Sequence, residues 1–279
     1  MPVTAIDVHV HLHTTEKDST HQDARRVFGS DRQAEAGSLL DYYRSRDLAG
    51  VIFDVDKETT TGRPIDNAAV AKLAQESDGR LVGFASVDPW KGPEALEELE
   101  RCAALGLRGL KVQPITQQFQ LADPQFSPLW DFCQAHGWPL LVHTGTTGIG
   151  ANSRGGRGLK LKYGHPMPDV DDVAADFPDL TLIVAHFGWP WHLDLLAIAR
   201  HKANVYVDLS GWSPKYIPAE VVKYMNSVIP DRFLFGSDYP WLTPDRWLKD
   251  FEALDLKDEV RDMVLRGNAG RLFDLPVLA

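Results

Sequence analysis

The 279-residue sequence predicts an α/β fold, a single TIM (β/α)8 barrel over residues 1–279, from three observations. Short apolar, β-branched runs alternate with stretches of helical periodicity, the pattern of repeated βα units. Nearly every run ends in a polar residue, which is where a barrel carries its chemistry. No Gly-rich dinucleotide fingerprint follows the first run, and this argues against the open doubly wound sheet.

The first strand is expected at 5–9 and runs on into Asp7-Val8-His9-Val10-His11-Leu12-His13. Alternate side chains of a strand share a face, so His9 and His11 project side by side, a geometry in which two imidazoles can hold one divalent ion. Half-buried polar histidines satisfied by neighbours are the competing reading. The other strands are expected at 50–55, 81–87, 107–113, 139–143, 181–186, 204–209 and 232–237. Helices are expected between and after them, at 38–47, 66–76, 93–105, 127–136, 170–176, 191–201, 218–225 and 244–254. Pro93, Pro218 and Pro244 sit where a first-turn proline is tolerated, and Gly79, Gly106 and Gly137 stop the preceding helices. Residues 257–279 read as a ninth, packing helix with a short end segment.

Two connections exceed the usual length of barrel loops. The segment 12–37 is highly charged and is expected to hold a short helix over the barrel mouth. The segment 144–168 is glycine-rich and carries Arg154, Arg157, Lys160 and Lys162, the densest basic cluster of the chain. A solvated loop and an anion-binding loop both fit that pattern.

The formal charge of −10 excludes broad nucleic-acid or anionic-membrane binding, because those partners need a basic field. Cys102 and Cys133 are too few for a disulfide framework and suit a reducing compartment. No signal-peptide pattern and no transmembrane run is visible, so a cytoplasmic enzyme is expected, with a homodimer as its expected assembly.

Polar strand ends fall at His9 and His11, Asp54, Lys111, His143, His186, Asp208 and, just past the eighth strand, Asp238. Asp54 and Asp208 read as caps of the following turns. His9, His11, His143, His186 and Asp238 follow strongly apolar runs, and closing the barrel brings them to one point. Imidazoles joined by a carboxylate are donors that suit zinc.

The motifs around these residues are His-x-His, Leu-Val-His143-Thr-Gly, Ile-Val-Ala-His186 and Leu-Phe-Gly-Ser-Asp238-Tyr-Pro, with Gly267-Asn268-Ala269 near the end. Together they resemble the amidohydrolase superfamily, in its amidohydrolase-related, aminocarboxymuconate-semialdehyde decarboxylase-like branch. The passages 143–150, 159–163, 172–178, 205–216 and 236–248 are similar to a smaller subgroup, the 4-hydroxyphenyl-β-ketoacyl-CoA hydrolases. Phe187-Gly188 departs from the Pro-Ser expected after His186. The resemblance implies one metal ion held by His9, His11, His143 and Asp238, with His186 as acid/base and Asp238 also catalytic. Binuclear members of the superfamily use a carboxylated lysine on the fourth strand, but the Gly-Leu-Lys111-Val context implies a single ion and leaves Lys111 for substrate.

Two enzyme readings follow from this. In the first, metal-activated water attacks a carbonyl, with C–C hydrolysis of an aromatic β-ketoacyl-CoA as the expected case. Arg154, Arg157 and Lys160 would then bind coenzyme A phosphates. The alternative is non-oxidative decarboxylation of an aromatic or dienoic acid by the same ligands. Tyr163, Trp212 and Tyr239 would wall an aromatic substrate in either case. Trp241 is a further aromatic expected near the mouth, and His13 is left as a substrate contact or a plain surface residue. A non-catalytic barrel is the third class, and the intact convergent set argues against it.

Overall fold

The computed structural model describes residues 3–14, 23, 26–27, 29 and 36–275. Nine parallel strand segments fill the eight barrel positions: β1 (Ala5–His11), β2 (Leu48–Phe53), β3 (Leu81–Gly83), β4 (Ala85–Ser86), β5 (Leu110–Val112), β6 (Leu140–Val142), β7 (Leu182–Val184), β8 (Val205–Asp208) and β9 (Phe233–Leu234). They pair in sequence order as β1-β2-β3 and β4 to β9. Phe84 joins the two sheets, because its N–H reaches Ile52 O at 2.9 Å while Ala85 N reaches Gly109 O at 2.8 Å. The seam closes where Val8 N meets Phe235 O at 2.9 Å, Asp238 N meets His9 O at 3.0 Å and His11 N meets Tyr239 O at 2.8 Å. The result is the expected closed barrel, with shorter ladders than the apolar runs suggest.

Among the described residues, eight helices of eight or more residues follow the strands: α1 (Ala36–Arg44), α2 (Asn67–Gln75), α3 (Pro93–Ala104), α4 (Ser127–Ala135), α5 (Asp169–Asp176), α6 (His192–His201), α7 (Ala219–Ser227) and α8 (Pro244–Glu252). Their starts obey local chemistry. Asp66 caps α2 by accepting from the Ala68 and Ala69 amides, and Thr243 caps α8 ahead of Pro244. In α3 the buried residues Ala95, Leu99 and Cys102 recur at helical spacing and face the strands.

Two apolar layers result. Leu110, Val112, Leu140, Val142, Leu182 and Val184 point outward under the helices. The alternating residues Leu141 and Ile183, with Ile6, Val51, Phe84 and Leu234, fill the barrel interior. The tail does more than the packing expected of it. Phe273 and Ala269 join the interior layer, and Phe273 meets Phe84 edge-on at 5.9 Å, so the tail plugs the end of the barrel away from the site. Asn268 fastens it by donating to Pro230 O at 2.9 Å and Phe233 O at 2.8 Å.

β1 departs from simple alternation in the stretch that matters most. Asp7 pairs with Gly50 but Val10 with Ile52, so one extra residue is accommodated between them. Val8 therefore belongs to the interior layer, while Asp7 turns toward α1, where Tyr43 OH donates to it at 2.8 Å. His9 and His11 still share the mouth side, but Asp7 does not, although strict alternation puts all three on one face. The mouth helix expected within 12–37 falls mostly outside the described residues.

Candidate active site

Five expected residues meet at the C-terminal end of the barrel. Donor atoms of His9, His186 and Asp238 lie within 4.8 Å of one another, all three buried. His11 joins through Asp238, its Nε2 lying 3.1 Å from Asp238 Oδ1. His143 joins through His186, with Nδ1 3.0 Å from His186 Nε2. Lys111 is fully buried beneath them, Nζ 3.4 Å from His9 Nε2. His186 thus stands inside the convergent set rather than beside it.

Backbone strain places two of these groups. His186 and Asp238 adopt φ of 60° and 72°, the left-handed region that costs a non-glycine residue roughly 1 kcal/mol or more. The Asp238 conformation is held by the His9 carbonyl on its N–H and by Trp241 N on its own carbonyl at 3.0 Å. Gly211, at φ +77°, is the seat of the His186 ring, since a Cβ there would lie 2.5 Å from Nδ1. Gly236 similarly leaves room for the Asp208 carboxylate.

Asp208, expected to be a rim cap, is instead buried against the histidine cluster. Its Oδ2 accepts from His9 Nδ1 at 2.6 Å and from Ser210 Oγ at 2.8 Å, and Oδ1 accepts from Ser210 N at 2.8 Å. Ser210 Oγ also lies 3.0 Å from His186 Nδ1. A proton fixed on His9 Nδ1 leaves the Nε2 lone pair facing the cluster, the usual carboxylate–histidine arrangement behind a metal ligand. Asp7, also overlooked in the sequence, ties β1 to the Asp238 turn by accepting from Ser237 N at 2.8 Å and from the Ser237 hydroxyl. Asp54 does act as a rim cap, accepting from Thr14 N at 2.9 Å.

Electrostatics suit a cation. Burial, then the Lys111 charge, drives the His9 imidazole well below its ordinary value. Burial and the neighbouring His186 and Lys111 do the same to His143, and burial brings His186 down to about 4. These rings are therefore neutral, the form that binds metal. Burial pushes Asp238 up, but the His11 hydrogen bond and its surroundings of imidazoles and Lys111 outweigh it and hold the carboxyl below its ordinary range. Neutral imidazoles and a carboxylate at one buried point fit a divalent metal ion.

A cavity of about 470 Å³ opens above this floor. His11, Lys111, His143, His186 and Asp238 form its base, and Trp212, Tyr216 and Trp241 its aromatic walls. His13 stands edge-on to Trp241 at 5.7 Å and is not among the lining residues. Gln113 also lines it, and because its Oε1 accepts from Thr116 N, the amide NH2 is the end left for a ligand. Residues 144–168 contribute only their neutral first half, through Thr146, Thr147, Gly148, Ile149 and Ala151. The cationic half does not line the cavity: Arg154 and Lys160 are exposed, and Arg157 donates to the buried Asp23 at 2.8 Å. Tyr163 lies outside the lining, and Tyr239 packs behind it against Tyr42 at 5.3 Å. Of the expected substrate contacts, Lys111 and Trp212 face the cavity, while Arg154, Arg157, Lys160, Tyr163 and Tyr239 do not. Arg246, unremarked in the sequence, lines the mouth.

A closed (β/α)8 barrel with histidines and an aspartate at its strand ends defines a metal-dependent barrel enzyme. The Amidohydrolase family profile matches residues 6–275, and the chain belongs to that family. It is 25% identical over 267 residues to a gamma-resorcylate decarboxylase from Polaromonas sp., covering 80% of this chain and 79% of the relative. It is 22% identical over 232 residues to a 2-amino-3-carboxymuconate-6-semialdehyde decarboxylase from Dictyostelium discoideum, covering 73% and 64%. Among solved structures, an uncharacterised TIM-barrel protein from Bordetella bronchiseptica superposes with TM-score 0.79 at 22% identity over 98% and 99% of the two chains. A Polaromonas dihydroxybenzoic acid decarboxylase with bound manganese and 2-nitroresorcinol superposes with TM-score 0.72 at 19% identity over 99% and 98%.

These relatives overturn the expectation of hydrolysis, since both curated proteins are decarboxylases. The physical ground for a coenzyme A substrate fails as well. Its proposed phosphate contacts lie away from the cavity, and one of them is already neutralised by Asp23.

Proposed function

We propose that this chain is a divalent-metal-dependent, non-oxidative decarboxylase of aromatic or conjugated carboxylic acids. The observation that carries the reading is the buried floor of His9, His11, His143, His186, Asp238 and Lys111 beneath aromatic walls, joined to decarboxylase relatives over most of the chain. We assign His9, His11, His143 and Asp238 as the residues that hold the ion, and His186 as the acid/base. A first-row divalent ion held by these residues would supply positive charge toward the substrate carboxylate. Zinc suits the imidazole-rich set, and the manganese-bearing neighbour makes manganese the second ion to load.

The chain's own groups do the rest. Lys111 Nζ and the Gln113 amide donate to substrate oxygens, and Trp212 and Trp241 hold the ring. His186 delivers a proton to the carbon that bears the carboxylate. As the C–C bond breaks, its electron pair returns to the ring and carbon dioxide leaves. The ring is neutral in the free protein, so the proton that His186 delivers is taken up from solvent once the substrate anion is bound, and the Ser210–Asp208 chain behind Nδ1 stabilises the ring while it is charged.

The test is to strip the protein with chelator, reload it with zinc or manganese, and offer hydroxylated benzoates and benzene dicarboxylates. Release of carbon dioxide with the matching arene, dependent on metal and lost in His9→Ala/His11→Ala, is expected. Failure of metal-loaded protein to release carbon dioxide from any member of the panel refutes the proposal.

A further inference from the structure

We infer that Arg246 is the specificity residue for a second acidic group, so that the substrate is a dicarboxylate whose far carboxylate reaches the mouth. This rests on the decarboxylase reading of the floor. Among the described residues Lys111 is the other lysine or arginine lining the cavity, and it lies buried at the base, whereas Arg246 is exposed on the first turn of α8. The side chain of Arg246 forms no ion pair or hydrogen bond with the described residues.

That lack of a partner comes from how the neighbouring acids are used. Asp245, adjacent in sequence, is committed to Arg46 Nε at 2.8 Å and to Tyr42 OH at 3.0 Å. Asp250, one turn further along α8, accepts from Ser213 Oγ at 2.5 Å. Both of these carboxylates are thus held elsewhere, and Arg246 lines the mouth with its guanidinium donors uncommitted among the described residues.

Size supports a second pole. The cavity of about 470 Å³ is about three times the roughly 150 Å³ that accommodates a benzene ring. A ring seated between Trp212 and Trp241 with one carboxylate on the floor leaves the Arg246 end unfilled. A carboxylate there would meet a guanidinium in bidentate geometry, whereas a monoacid leaves that cation to water.

The experiment measures binding by calorimetry to manganese-loaded protein, for 2,6-dihydroxybenzoate and for 2,6-dihydroxyterephthalate with its 4-carboxymethyl homologue. At least one diacid should bind about tenfold or more tightly than the monoacid at low salt, with the margin shrinking as salt rises. Arg246→Gln should erase that margin while leaving monoacid affinity unchanged, and Arg246→Lys should keep part of it. Absence of a diacid margin in the wild-type protein overturns the inference, as does a margin that survives Arg246→Gln or an equal loss for both acids. Because the readout is binding, it stands even if neither acid is decarboxylated, and that second failure would count against the proposed reaction instead.

Discussion

Asp208→Asn tests the carboxylate behind the metal site with a nearly isosteric change. In the native protein, Oδ2 accepts from His9 Nδ1 at 2.6 Å and from Ser210 Oγ at 2.8 Å, while Oδ1 accepts from Ser210 N at 2.8 Å. An asparagine must place its NH2 on one of these sides. Placed toward His9, it confronts a donor with a donor and forces the imidazole proton onto Nε2, the nitrogen that faces the cluster. Placed toward Ser210, it opposes a backbone N–H that has no other acceptor. Outer partners of this kind are worth about 10- to 100-fold in metal affinity or activity. At saturating metal, the same factor removes about 1.4 to 2.7 kcal/mol of metal-linked stabilisation. The assay is competitive titration of chelator-stripped protein with zinc or manganese, paired with the gain in Tm on reloading. Wild-type affinity and an undiminished Tm gain in Asp208→Asn would refute the reasoning.

Other variants probe other links. His186→Asn should lower turnover about 100-fold or more with metal content intact, and loss of metal would move His186 from acid/base to ligand. Gly211→Ala brings a methyl within 2.5 Å of His186 Nδ1 at a φ of +77°, so kcat should fall about tenfold or more in a protein that still folds, while unchanged kcat would mean the ring has other freedom. Phe273→Ala removes the plug against Phe84 and should cost about 3 to 5 kcal/mol in denaturant melts without altering metal stoichiometry. Cys102 and Cys133 are fully buried, and burial pushes both thiols up, so neither should react with alkylating reagents at neutral pH until the protein unfolds, and fast labelling of native protein would contradict this.

The barrel was legible because strand and helix periods differ, and the runs ending at His143, His186 and Asp208 each kept one period to the site. The convergent histidines and Asp238 were legible for the same reason. The bulge in β1 was not, since one extra residue between Asp7 and Val10 leaves no trace in composition and only pairing with Gly50 and Ile52 reveals it. Asp208 was misread because an acid at a strand end looks the same whether it caps a turn or stands 2.6 Å from a histidine 199 positions away. The basic cluster at 154–162 misled because charge density says nothing of direction: Arg157 turns to Asp23 rather than to the cavity. Hydrolysis and decarboxylation could not be separated from the ligands, because both use the same floor and differ in what the walls admit.

Asp208 also links the two jobs of the floor. His143 Nε2 meets Thr146 O at 3.2 Å, so assigning hydrogens from the network puts its proton there and leaves Nδ1 a lone pair aimed at His186 Nε2, 3.0 Å away. If Ser210 gives its hydrogen to Asp208, then His186 must donate from Nδ1 to Ser210, and two lone pairs oppose each other across that gap. If Ser210 turns its hydrogen to His186 instead, the His186 proton moves to Nε2, where it bridges to His143 and where an acid needs it. The rotor of one serine, held by one carboxylate, therefore sets which His186 nitrogen is protonated, while the same carboxylate fixes the ligand face of His9. An ion bound by His143 would take that lone pair in place of the His186 hydrogen bond, and the His186 Nε2 proton would be left to the substrate. Ser210→Ala should then spare metal affinity, which Asp208→Asn does not, while lowering turnover and shifting its pH profile. Loss of metal affinity in Ser210→Ala, or wild-type turnover with an unmoved profile, would separate the two roles assigned to Asp208.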